Sequence, residues 1–376
     1  MIKHIKASNI LSFGPDGLDL ELRPLNVLIG ANGSGKSNFL ELIDLMRSTV
    51  SDTNAIFTRG GGVNEWIWKG ASDNTANLAL TISEEDGEEI RHCLKFTSNE
   101  HRFMILGEKI DSPVSETNYY EYAEEKYTIN GEEPYSKKIL QSNKSVLVQY
   151  LPHSEIYPQF EYLENTYKNI GIYKNWTFGQ NAAIRKPQPA DLRTDKLESD
   201  FTNLGLVLSR IRREPKVKKN LIYQLQHFYQ GVTDYDIAIE GGYVQIFFFE
   251  GDYTIPASRL SDGTLRYLCL LAILLDPKPP VMICLEEPEL GLHPDILPQL
   301  TDLLIEASER TQLVITTHSD VIVDALTDHP DSILVCEKYE GQTSIHRLES
   351  DKIKPWLEDY RLGDLWSKGQ IGGNRW

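Results

Sequence analysis

GANGSGKS, residues 30–37, is the stretch that decides the fold. It fits G-x-x-x-x-G-K-[ST], with Gly30, Gly35, Lys36 and Ser37 at the fixed points, and the apolar run Leu25 to Ile29 stands directly before it. A strand, a glycine loop and a helix start are predicted in that order. Glycines let the backbone turn successive N–H groups toward phosphate oxygens, Lys36 offsets the β and γ charge, and the Ser37 hydroxyl suits Mg²⁺. Asn32 and Gly33 are expected to supply unusual turn dihedrals. From Asn38 to Thr49, Phe39, Leu40, Ile43 and Met46 recur at helical spacing, which aims a positive helix N-terminus at the nucleotide. Gly30, Asn32, Gly33, Ser34, Gly35, Lys36, Ser37 and Asn38 are therefore the candidate nucleotide-binding residues.

Three later stretches extend the pattern. VMICL at 281–285 reads as a strand buried on both faces, and it ends in Glu286 and Glu287. Two acids at the end of a buried strand need a charge partner. Mg²⁺ shared with Ser37 and the phosphates supplies one for Glu286, while Glu287, one step further out, suits a general base for the attacking water. Leu313 to Thr316 is another apolar strand, and His318 follows it at the C-terminal edge where ligands bind in open parallel sheets. RLSDGT at 259–264 opens the apolar helix Leu265 to Leu275, where Ser261 and Gly263 make either an ordinary N-cap or a second anion site. A second phosphate-binding helix start in a chain with one nucleotide pocket is explained by a symmetric dimer in which it serves the partner's nucleotide.

On these motifs the chain resembles the ABC-type ATPase heads of the RecF, SMC, Rad50 and overcoming-lysogenization-defect group. Within that group it is most similar to compact stand-alone AAA-like ATPases that have neither a coiled coil nor a TOPRIM domain. IKASNILSFG near the start, the phosphate loop, LSDGT, LEEPELGLHP and ITTHS carry the likeness, which spans nearly the whole sequence. It implies an α/β P-loop NTPase head with a mixed β-sheet nucleotide lobe and a helical signature lobe. It also implies ATP and Mg²⁺ as cofactors, Ser37 and Glu286 as metal ligands, Glu287 as catalytic carboxylate and His318 as switch histidine. Ser261 and Gly263 would reach across a homodimer. YTINGEE at 127–133 followed by SVLVQY at 145–150 is similar to the glutamine-loop segment, making Gln149 either the reporter of Mg²⁺ and attacking water or a solvent-facing residue on a strand. Arg59 stands near the place of the group's phosphate- or DNA-contacting arginine, in front of a glycine run that also reads as a plain loop. Two positions depart from the wider superfamily. Glu286 replaces the usual Asp, and Asp262 and Thr264 place the signature on the RecF and SMC side, away from transporters.

Motif spacing divides the chain into a first nucleotide-lobe part (1–150), a helical signature lobe (151–265), a second nucleotide-lobe part (266–350) and a tail (351–376). The tail carries Trp356, Trp366 and Trp376, which suits docking on the body of the chain or on a partner. About 110 residues separate Gln149 from Leu260 without sustained heptads, so no tethering arm is expected. Only 58 residues follow His318, so no nuclease domain is expected in that stretch. The hydrophobic content of 40% suits an ordinary globular core, and no run of 18 apolar residues or signal-type segment occurs, so the expectation is a cytoplasmic protein without membrane contact. Cys93, Cys269, Cys284 and Cys336 lack paired spacing and read as small buried thiols.

The net charge of −17 argues against unspecific wrapping of DNA, but the sign varies along the chain. Residues 84–135 hold 14 acidic and 5 basic residues, whereas 185–219 hold 10 basic and 5 acidic. Arg210, Arg212, Arg213, Lys216, Lys218 and Lys219 crowd the end of the second segment and form either a solvated helix face or a nucleic-acid contact. Together these readings predict ATP-driven dimer closure that signals to a separate effector, with likeness suggesting a TOPRIM-type nuclease or other toxin in antiphage defence. The alternatives are a RecF-like DNA-binding ATPase of repair or recombination, and a scaffold that binds ATP and hardly hydrolyses it.

Overall fold

The computed structural model describes residues 1–84, 87–133, 140–150 (the side chain of 150 apart) and 157–373. Trp376, part of the tail considered above, lies outside the described residues. The elements in chain order are β1 (Ile2–Ser8), β2 (Leu18–Glu21), β3 (Leu25–Ile29), α1 (Lys36–Ser48), α2 (Thr53–Arg59), α3 (Val63–Trp66), β4 (Thr75–Ser83), β5 (Glu89–Asn99), β6 (Arg102–Asp111), β7 (Asn118–Ala123), β8 (Lys126–Ile129), α4 (Val146–Tyr150) and α5 (Pro158–Lys168). Then come β9 (Ile170–Tyr173), β10 (Gln188–Pro189), α6 (Leu204–Ile211), α7 (Pro215–Phe228), β11 (Asp234–Glu240), β12 (Tyr243–Glu250), β13 (Tyr253–Pro256), α8 (Asp262–Leu274), β14 (Met282–Glu286) and α9 (Leu297–Ser308). The last are β15 (Gln312–Thr316), α10 (Asp320–Ala325), β16 (Ile333–Tyr339), β17 (Gln342–Arg347), α11 (Ser350–Leu357) and α12 (Leu362–Ser367). Chain contacts divide these into two units, the first of residues 1–170, 331–353 and 366–376, the second of 171–330 and 354–365.

In the first unit, seven strands pair in the order β2-β1-β4-β5-β6-β7-β8, antiparallel throughout. Alternation explains it: along β4 every second residue from Ala76 to Ile82 is buried, as on a sheet with one face packed and one wet. Phe57 of α2 packs on Phe96 and Phe103, with Trp66 of α3 edge-on to Phe57, at ring-centroid distances of 4.6 to 5.5 Å. Further along, Phe160 and Tyr167 of α5 pack on Tyr120 and His92. His92 is fully buried and satisfied, its ring nitrogens 3.0 Å from the Tyr167 hydroxyl and 3.0 Å from Glu108 Oε1. A second layer in this unit runs β17-β16-β3, with β16 parallel to β3 and antiparallel to β17. All five residues of β3 are buried, as a strand covered on both faces must be.

In the second unit β14 and β15 run parallel, with Glu286 level with Thr316. Helix α8 packs with α9 and is buried from Thr264 to Leu274, which is why its sequence is apolar on every side. A four-stranded antiparallel sheet, β10-β12-β11 with β13 also on β12, carries α6 on its inner face. Gly205 lets α6 come close: a Cβ there would stand 2.6 Å from Val244 Cγ1.

The structure changes three expectations. The segment before the signature, expected to be a helical lobe, also holds the four-stranded sheet. Contacts also cut the chain at 170, 330, 353 and 365, not at the lobe boundaries suggested by motif spacing. The strand read at 145–150 is the short helix α4, because the Val146 N–H is taken by buried Glu108 Oε2 at 2.8 Å and Ser145 Oγ accepts from the Leu147 N–H. A capping serine overrides the β-preference of Val-Leu-Val there.

In the tail, Trp366 is buried and donates from Nε1 to the Gly373 carbonyl at 2.9 Å. Of the two tail tryptophans described, it docks on the chain itself, whereas Trp356 is 52% exposed. Trp366→Ala should destabilise the first unit by about 3–5 kcal/mol and lower its melting midpoint on the order of 10 °C, measured by calorimetry.

Candidate active site

The phosphate loop belongs to the first unit. Gly30, Gly33 and Gly35 have φ of 151°, 75° and 104°, so the loop's special dihedrals fall on glycines. Asn32 was expected to share that task and does not, since it keeps a negative φ. Gly35 directly precedes α1, and no side chain caps the helix, which leaves its N-terminal dipole directed at the loop. Helix α1 starts at Lys36, two residues before the sequence reading placed it.

Lys36 is buried, with Nζ donating to the Gly30 and Ala31 carbonyls at 2.8 and 2.9 Å. Ser34 Oγ is buried with no hydrogen-bond partner among the described residues, and a Cβ on Gly30 would lie 2.8 Å from it. A glycine cradle with an orphaned hydroxyl, a lysine and a positive helix end fits a chain of phosphates.

A support for this loop was not legible in the sequence. Thr343 of β17 places Oγ1 2.9 Å from the Ser34 carbonyl and 2.7 Å from Ser12 Oγ. Asn38 donates from Nδ2 to the same Ser12 oxygen at 2.8 Å, so the side chain assigned to nucleotide braces the loop from behind. Gly35 is required twice over, by its φ and because a Cβ would stand 2.2 Å from Thr343 Oγ1. From the tail, Gly373 reaches the same loop: a Cβ on it would stand 3.3 Å from Gly30 Cα.

The carboxylates and the histidine belong to the second unit. Glu286 ends β14, and its carbonyl accepts from Trp176 Nε1 at 2.7 Å. Glu287 has φ 45°, a left-handed conformation unusual for a side chain of its length. It is held there by its N–H, which donates to the Thr316 carbonyl at 2.9 Å with Thr316 Oγ1 at 3.2 Å. The result is a carboxylate facing an imidazole: Glu287 Oε1 lies 3.4 Å from His318 Nε2, with both side chains roughly a third exposed. Glu289 accepts from the Thr317 hydroxyl and the His318 N–H.

The signature lies in this unit too. Ser261 is the N-cap of α8, accepting from the Thr264 N–H at 3.1 Å, so the capping reading is realised. Ser261 and Asp262 are exposed. Gly263 packs closely within the chain, where a Cβ would stand 3.0 Å from the Gly291 carbonyl. Arg185, which no motif flagged, staples the turn: it donates to the Ser258 and Leu260 carbonyls at 3.0 and 2.7 Å and pairs with Asp262. Arg266 of α8 stacks over Trp176 and Phe178, 5.3 and 5.5 Å from the ring centroids.

Three other assignments meet local partners. Gln149 donates from Nε2 to the Lys144 carbonyl at 2.9 Å, and its Oε1 accepts from the Gln141 N–H at 2.8 Å. Arg59 ends α2, exposed, with Nε donating to the Ala55 carbonyl. Within the basic cluster, Arg210 forks onto buried Asp276, Arg212 pairs with Asp236, and Lys218 pairs with Asp234. Arg213, Lys216 and Lys219 remain exposed.

No helix among the described residues is long and apolar enough to cross a membrane. Among solved structures, an SMC head bound to the C-terminal winged-helix domain of ScpA is similar to this chain with TM-score 0.61 and 16% identity, over 94% of this chain and 99% of that one. A Pyrococcus furiosus Smc head with an extended coiled coil, bound to the C-terminal domain of ScpA, gives 0.60 and 15% over 95% and 98%. The Thermotoga maritima SMC head domain gives 0.50 and 15% over 93% and 99%. At such identities the likeness is one of fold. No curated protein matches the chain in sequence. The profile described as "AAA domain, putative AbiEii toxin, Type IV TA system" matches residues 25–324, so the chain belongs to that family of AAA-domain ATPases, and its fold is that of SMC heads.

Proposed function

We propose that this ATPase works as a homodimer closed by ATP, in which each phosphate loop is completed by Ser261 and Gly263 of the second copy. The observation that carries the catalytic part is the Glu287 and His318 pair at 3.4 Å, built on a left-handed glutamate. Glu287 takes the proton of the attacking water, and His318 orients that carboxylate and faces the γ-phosphate. Lys36 and the α1 N-terminus bind and orient the β and γ phosphates. Ser37 and Glu286 are oxygen donors that fit Mg²⁺, which when bound would neutralise phosphate charge. Gln149 would join them only by exchanging its bonds to residues 141 and 144 for a metal-bound water.

The output of closure is a change in dimer state that a separate effector reads. The family description, a putative toxin of a type IV toxin–antitoxin system, supports a defence setting, and a TOPRIM-type nuclease is the partner that the group's architecture suggests. A protein partner is supported by the SMC heads of similar fold that are seen bound to ScpA domains. Within the basic cluster, a RecF-like role on DNA draws on the exposed Arg213, Lys216 and Lys219, since their three neighbours pair with aspartates.

Three outcomes check this. Glu287→Gln should lower kcat by roughly 10²–10⁴ while ATP binding persists, and light scattering should then find the ATP-bound protein as a dimer. Ser261→Arg should leave ATP binding to the monomer intact and abolish both dimer and turnover; full-speed hydrolysis by a monomeric Ser261→Arg protein removes the shared-site reading. Co-expression with the products of flanking genes should retain an effector on the Glu287→Gln dimer. If none is retained and DNA stimulates turnover until Arg213, Lys216 and Lys219 are reversed to Glu, the repair reading replaces it.

A further inference from the structure

We propose that Glu289 is a positioning residue for catalysis, holding His318 against Glu287; this rests on the reading of that pair given above. Glu289 Oε1 accepts from Thr317 Oγ1 at 2.6 Å and from the His318 N–H at 2.9 Å. Thr317 Oγ1 in turn accepts from the Ser319 N–H at 3.0 Å, so one carboxylate fixes three consecutive residues after β15. Two residues upstream, Glu287 is tied by its own N–H to Thr316. The loop after β14 and the loop after β15 are thus laced at alternate positions, 287 to 316 and 289 to 317 and 318. Neither member of the pair can shift along its loop without breaking bonds that Glu289 or Thr316 makes.

The local chemistry marks Glu289 as more than a loop acid. Burial pushes its carboxyl above the usual range, against the pull of the Thr317 and His318 bonds. Its second oxygen is buried without a hydrogen-bond partner among the described residues. The Glu289 charge also acts on Arg266 of the signature helix, whose guanidinium burial drives down and that charge holds up. Arg266 also donates from Nη2 to the Trp176 carbonyl, and Trp176 donates to the Glu286 carbonyl. The signature helix is therefore linked to the strand end that carries the catalytic loop through Trp176, which Arg266 holds by its carbonyl and which holds Glu286 by its indole.

ATP turnover by the full chain tests this. Glu289→Ala should lower kcat by roughly 10–100-fold with KM for ATP within about twofold, since the group is displaced and the phosphate loop is untouched. Glu289→Gln, which keeps an acceptor for both donors, should restore kcat to within about threefold of wild type. In a His318→Ala background, Glu289→Ala should cost less than about twofold more, because its effect passes through the histidine. Unchanged kcat, a loss confined to KM, a Gln variant as impaired as Ala, or an equal loss in both backgrounds would each overturn the proposal. Should Glu289→Ala fail to fold, Thr317→Val removes one donor to the same oxygen and carries the test, with the same drop in kcat at fixed KM. Glu287→Gln run alongside separates the two levels. If it still turns over, the catalytic pair and this proposal fall together; if it is dead while Glu289→Ala matches wild type, this proposal falls alone.

Discussion

The strands β3, β14 and β15, buried along their length, carry charge only at or beyond their ends. Strands β3 and β15 have every residue buried, and β14 has all but its final Glu286. An unpaired charge inside such a strand would cost several kcal/mol, so ionisable groups gather where the strands stop. The phosphate loop follows β3, the glutamates end and follow β14, and the histidine follows β15. The chemistry is positioned by where apolar backbone can no longer be covered.

At those ends the backbone is shaped by unusual dihedrals, and each is held in place by something else. Gly30, Gly33 and Gly35 adopt theirs without a Cβ penalty. Glu287 has no such freedom and is held by Thr316, as an outlier that the surrounding bonds over-determine. The same economy appears in the basic cluster. Lys216, Lys218 and Lys219 stand in the first turns of α7, where positive charge opposes the helix dipole, and aspartates of β11 answer that charge through Lys218 and Arg212.

The strands and helices around the motifs were legible because their signals are local. β3, α1, α8, β14 and β15 follow from apolar runs, helical spacing and glycines, and the structure sets their ends within two or three residues of those readings. What escaped is what depends on distant partners. Ser145 turns Val-Leu-Val into a helix only because Glu108, 38 residues away in sequence, takes the Val146 N–H. Arg210 reads as a free cation until Asp276 appears beside it. Arg185, Thr343 and Trp176 belong to no motif, and their value lies in carbonyls and hydroxyls that a single sequence does not pair. Glu289 came nearest to being found, since it stands inside LEEPELGLHP, but its two donors sit after a different strand.

The brace behind the phosphate loop has a consequence for inheritance. Ser12 and Thr343 are 331 positions apart, yet they share a hydrogen bond, and Thr343 fills the space that a side chain at 35 would need. A mutation that enlarged position 343 would press on the loop even though it arose on a peripheral strand. Among descendants of this sequence, positions 12, 35, 38 and 343 should therefore drift as a set, and a lineage that changes one alone is the place to look for lost nucleotide affinity.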